Sequence, residues 1–138
     1  GIRPTNGSGT EINGTKDLGH TSYRWKDIYA GGVVYDSKGD LRKIPINTQG
    51  SAYTLVAGDA GKFISASANI TWADSVFSAG DAVTIVNNSN SDITITKGSN
   101  MYNTADATNA NRTLAARGMA TILWVSPSAA YISGAGLS

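Results

Sequence analysis

Hydrophobic positions divide the chain into two textures. From Gly1 to about Asn47 the apolar residues (Ile2, Ile12, Leu18, Trp25, Ile28, Val33, Val34, Leu41, Ile44, Ile46) are thinly spread and keep neither a helical nor a two-residue period, which predicts mostly extended chain. "SYRWKDIYAGG" is the exception. Ser22 suits an N-cap, Trp25, Ile28 and Tyr29 fall at i, i+3 and i+4, and Gly31 or Gly32 would end a helix of at most two turns.

From about Thr48 the pattern becomes short alternating runs bounded by Gly, Asp, Asn, Ser and Pro: "AYTLVA", "FISASA", "NITWA", "AVTIVN", "DITITK", "RTLAA", "MATILWV" and "AAYISG". "VTIVNNSNSDITIT" reads as a hairpin, with Val83 and Ile85 alternating with Thr84, Ile93 and Ile95 with Thr94 and Thr96, and "NNSNSD" at the tip. Roughly eight strands at spacings of about 8 to 12 residues predict an all-β head, an antiparallel β-sandwich or barrel of jelly-roll type. The expected division is therefore 1–47, an extended intertwined segment, and 48–138, the β head.

Composition narrows the function. Eleven Lys and Arg balance ten Asp and Glu with no basic cluster, so no nucleic-acid partner is expected. Cysteine is absent, which removes disulfides and thiolate chemistry. No run of about 18 apolar residues occurs, so no membrane insertion by a helix is expected. The start "GIRPTNGSGT" has no signal-peptide pattern and no initiator Met, as expected of a piece of a longer chain. The first ~45 residues are too few to bury a core alone, and without disulfide or metal the remaining route is association with copies of the same chain. Tyr23, Trp25, Ile28 and Tyr29 are the expected trimerisation residues.

In order, "LGHTSYRWKDIYAGG", "GDLRKIP", "YTLVAGDAGKFI", "VFSAGDAVTIVNNSNSDITI", "RTLAARGMATILWV" and "YISGAGLS" resemble the C-terminal receptor-binding tip of bacteriophage tail fibres, particularly marine ones. The resemblance covers nearly the whole chain. It implies a homotrimer at the distal end of the virion, joined to the rest of the tail fibre, with three β-sandwich heads that bind host lipopolysaccharide or another surface glycan. The self-cleaving chaperone that often follows such shaft modules is absent from the sequence given. A purely structural fibre module and a glycan depolymerase are the alternatives.

Glycan binding needs an exposed aromatic face with amides, hydroxyls and carboxylates beside it. The stretch Lys97–Arg112 has that mixture: Tyr102 among Asn100, Asn103, Asp106, Asn109 and Asn111, with a plain solvated loop as the alternative. Trp72 is a further candidate for sugar stacking, though it shares the parity of Ile70 and so points to the core if Ile70 does. The "NNSNSD" tip is a third candidate.

Chemistry beyond binding finds little support. A depolymerase wants paired carboxylates, yet Glu11 is the only glutamate and the head's aspartates (Asp59, Asp74, Asp81, Asp92, Asp106) sit in turn-like contexts. The single histidine, His20, precedes the head, so a Ser–His pair cannot form there within one chain, and "GDAGK" lacks phosphate-loop spacing. No enzyme activity, metal or cofactor is expected.

Overall fold

The structure is a computed structural model that describes residues 8–9, 21–23 and 25–138. His20 and Glu11 lie outside the described residues. The chain divides into two compact units, Gly1–Val33 and Val34–Ser138.

In the first unit the expected short helix does not form: residues 25–30 carry no helical turn. Two turns are too short to persist without a packed apolar face, and here that face is open. Trp25 is 63% and Tyr29 93% exposed, and Tyr23 and Ile28 are exposed as well.

The second unit is all-β, with eleven strands and a single 3-10 turn, Ala57–Asp59. A small antiparallel ladder joins β1 (Tyr35–Asp36) and β2 (Gly39–Asp40). The Lys38 ammonium donates to the Ala60 carbonyl and Phe63 N–H donates to the Pro45 carbonyl at 2.9 Å. These bonds tie residues upstream of the expected 47/48 division into the β unit, whose contacts begin at Val34.

The remaining strands are β3 (Ile46–Gln49), β4 (Tyr53–Thr54), β5 (Phe63–Ala66), β6 (Ile70–Thr71), β7 (Ala82–Asn87), β8 (Ile93–Thr96), β9 (Asn100–Asn103), β10 (Arg112–Ser126) and β11 (Ala129–Leu137). They form one sheet in the order β3-β5-β7-β10-β8-β6-β4, with β11 beside β10 and β9 beside β11. The pairings β3/β5, β5/β7, β4/β6, β6/β8 and β9/β11 are parallel, whereas β10 is antiparallel to β7, β8 and β11. The expected antiparallel jelly-roll is thus replaced by a mixed sheet.

The expected β7–β8 hairpin is absent too. β7 pairs with Met119–Leu123 of β10 and β8 with Arg112–Leu114. The two strands follow one another along the same neighbour, interrupted at residues 88–92 opposite the irregular stretch of β10 between Leu114 and Met119. β3/β4 and β5/β6 are interrupted in the same way at residues 50–52 and 67–69. Three bent rungs therefore stack in parallel, and their corners lie side by side: Ser67 N–H donates to the Gln49 carbonyl at 3.0 Å and Asn88 N–H to the Ala66 carbonyl at 2.7 Å.

Alternation decides what is buried. Ile64, Ile85 and Ala120 are cross-strand neighbours facing inward, as are Ile70 and Ile95 in the other arm. Burial of such residues contributes about 1.5–3 kcal/mol each for the larger side chains. Trp124 anchors the core, stacked on Phe77 at 4.0 Å between ring centroids and edge-on to Trp72 at 5.5 Å. Asp59, placed by the 3-10 turn, is the principal buried carboxylate. It accepts bonds from Tyr53 Oη at 2.9 Å, Asn47 Nδ2 at 2.9 Å and Val56 N–H at 3.0 Å. Burial, reinforced by this carboxylate, raises the pKa of the Tyr53 hydroxyl.

The C-terminal "ISGAGLS" is shaped by close approach. A Cβ on Gly134 would lie 2.1 Å from the Met119 carbonyl oxygen and 2.4 Å from Ala120 Cα, and Gly136 takes φ +80° against Gly118. β11 can lie this tightly on β10 only with glycine at both points.

Candidate functional site

β9 is a polar strand inside the stretch read from the sequence as a loop. Its parallel pairing with β11 sets Tyr102 directly beside Tyr131. Both rings point away from the core, because their neighbours Met101, Ala130 and Ile132 are the buried members of the alternation. The ring centroids are 5.6 Å apart with planes tilted by 37°. Tyr102, Tyr131, Asn103, Thr104 and Ala107 line an open depression of about 480 Å³.

Beneath the rings, residues 103–111 are held by their own polar groups. Asn109 Oδ1 accepts from Met101 N–H at 3.0 Å, and its amide donates to Asn100 Oδ1 at 2.8 Å. Asp106 accepts from the Thr108 N–H and hydroxyl at 2.9 and 2.6 Å. Those two bonds, helped by the Arg112 guanidinium at 3.5 Å and by Asn103, hold its carboxyl below the usual aspartate range. Arg112 is buried and also donates to the Thr108 carbonyl and hydroxyl. Asn103 is buried, its Oδ1 accepting from Ala105 N–H at 3.1 Å.

The expected residues therefore separate into roles. Tyr102 offers a partly exposed ring. Asn100, Asn103, Asp106 and Asn109 brace the loop beneath it, with Asp106 and Asn109 exposed at its rim. Trp72 is excluded from sugar stacking: it is 1% exposed, edge-on to Trp124, with Gly98 seated so close that a Cβ there would come within 2.7 Å of its ring. Tyr131 is the residue that sequence reasoning missed. Its signal was the alternation in "AAYISG", which turns Tyr131 outward when Ile132 is core.

Two other places in the fold bear on function. A depression of about 390 Å³ under the β1–β2 ladder is lined by Asp36, Lys38, Asp40 and Lys43. Those charges serve the turn itself: Asp36 accepts from the N–H groups of Lys38 and Gly39, Asp40 from that of Arg42, and Lys43 lies 3.9 Å from Asp40. The second is the outer face of β3, β5, β7 and β10, where Ile46, Val86, Met119, Leu123 and Val125 stand at least partly exposed with no charge among them. Its threonines satisfy each other, with Thr84 and Thr121 hydroxyls 2.8 Å apart.

Among the described residues no cluster of three or more His, Asp or Glu side chains could hold a metal ion. Asp59 and Asp106 are each committed to neutral donors or to Arg112 rather than paired with another carboxylate. No protein-family model matches the chain, and no curated protein matches its sequence.

Proposed function

We propose that this chain is the non-enzymatic receptor-binding tip of a bacteriophage tail fibre, a homotrimer at the distal end of the virion that holds a host surface glycan. The observation that carries the binding reading is the Tyr102–Tyr131 pair. Two outward aromatic faces over a shallow depression suit the C–H surface of a sugar, while exposed Thr104 in its lining suits a sugar hydroxyl. Shallow single sites suffice when three are carried on one trimer, since the second and third contacts form at high effective concentration.

The test is adsorption blocking. Purified chain should compete with phage for host cells. Tyr102→Ala and Tyr131→Ala should each weaken the block roughly tenfold, the loss of ~1–1.5 kcal/mol of aromatic contact, with the sheet still folded at the assay temperature and the melting temperature lowered only by the lost ring pair. Full blocking by both variants would sink the reading.

A purely structural fibre module is the second reading, favoured by the mainly apolar outer face of β3, β5, β7 and β10, with Lys43 at its margin, which suits subunit packing. It predicts no competition for host cells at all.

A further inference from the structure

Arg117 occupies a costly backbone position for a side chain it could do without. It sits at φ +62°, in the left-handed region that glycine adopts freely, within the irregular stretch of β10. Its guanidinium reaches across the neighbouring rung corner, Nη1 donating to Asn88 Oδ1 at 2.8 Å and Nη2 to Asn90 Oδ1 at 2.9 Å. Both acceptors are neutral. Among the described residues no carboxylate lies within salt-bridge distance of Arg117, and the nearby Asp92 instead accepts from Ala116 N–H at 3.0 Å.

The corner beneath it is densely hydrogen-bonded. Buried Asn87 donates to the carbonyls of Ser91, Leu114 and Ala115 at 2.8–3.0 Å and accepts from the Ser89 N–H and hydroxyl. The "NNSNSD" corner is thereby fastened to β10 at Leu114 and Ala115, where the irregular stretch begins. An exposed guanidinium is thus oriented by two amide oxygens and makes no ion pair among the described residues, the Asp92 carboxylate being held by the adjacent Ala116 N–H.

We infer that Arg117, with Asn88 and Asn90, forms an oxyanion-binding site for a carboxylate or phosphate monoester presented to this corner. A planar fork of N–H donors matches such groups bidentately, and a prepositioned fork loses less freedom on binding. The strained backbone has a function under this assignment, because it aims the side chain back over the corner. The site is separate from the tyrosine pair and does not depend on it.

The test is titration of the full chain, at low ionic strength, with sodium glucuronate, glucose 6-phosphate and glucose, following backbone amide resonances of residues 88–92 and 116–118. Either or both acids should shift these resonances, and glucose should not; which acid acts identifies the anion. Arg117→Lys should weaken binding roughly tenfold, a point charge replacing a bidentate fork, and Asn90→Ala should weaken it by releasing the fork. Arg117→Gly should abolish the response while leaving the melting temperature equal or higher, since glycine fits φ +62°. Tyr102→Ala should leave this titration unchanged, so failure here and failure of adsorption blocking are distinguishable. The assignment is overturned if neither acid shifts the resonances, if glucose matches them, if Arg117→Gly still binds, or if Arg117→Gly melts lower without any anion response, which would make Arg117 a loop brace.

Discussion

Asp106 shows how a side chain placed for recognition from sequence works first for its own loop. Its carboxylate gathers the Thr108 hydroxyl and N–H, then the Arg112 guanidinium, and its pKa falls. A depressed folded-state pKa means that the group stabilises the fold above its unfolded pKa and that this contribution is lost as pH falls through the folded value. The loop should accordingly hold down to pH values below the ordinary aspartate range and loosen only there. A carboxyl-carbon NMR titration checks this: Asp106 titrating at or above the ordinary aspartate value contradicts it. Tyr102, legible as an aromatic among amides, kept its surface position; Trp72 is core, as its shared parity with buried Ile70 indicated, and so drops out as a stacking candidate. Tyr131 was hidden for the related reason that pairing, not local pattern, puts it beside Tyr102.

At the scale of elements, the strands themselves were legible wherever alternation ran for four residues or more, as in "AVTIVN" and "ITIT". Direction and neighbours were not, because a two-residue period is common to parallel and antiparallel pairing. β7 and β8 looked like a hairpin on account of their polar link, yet the fifteen-residue β10 passes along both. β9 escaped notice because "NMYN" has Asn at both ends and its two hydrophobic residues side by side, so it shows no two-residue alternation. The short helix failed for want of any packed face. The tight β10–β11 seam yields the sharpest expectation at this scale. Gly134→Ala places a methyl group against the Met119 backbone and should cost about 2–3 kcal/mol, as overpacking against atoms that cannot move aside does; urea unfolding measures it, and a change below ~0.5 kcal/mol would show that β11 can shift.

For the whole molecule, the all-β class was legible, but its mixed topology makes a demand that an antiparallel sandwich would not. Parallel ladders in known folds are covered on both faces. Here one face of β3, β5, β7 and β10 packs on the core, while the other presents Met119, 54% exposed, and Leu123, 46% exposed, with Lys43 at the margin of the depression around Met119. We propose this face as the surface through which copies of the head associate. Sedimentation should show a trimer. Met119→Lys with Leu123→Lys should shift it to monomer, since unpaired charges buried between subunits cost several kcal/mol, with the β-sheet circular dichroism signal retained. A monomeric parent chain would end the proposal.

The stacked corners carry a consequence for how such a head changes over generations. Residues 50–52, 67–69 and 88–92 leave three successive rungs at one edge, beside the turn that carries Arg117, and most of their side chains are exposed. Substitutions along that edge alter what the molecule presents without disturbing the isoleucines beneath, so the ridge can drift in chemistry while the interior stays under constraint. New specificities would then arise by rewriting the few corner positions whose side chains hold no neighbour, while Asn69, Ser89 and Asp92 stay tied to the bonds that keep the turns in place.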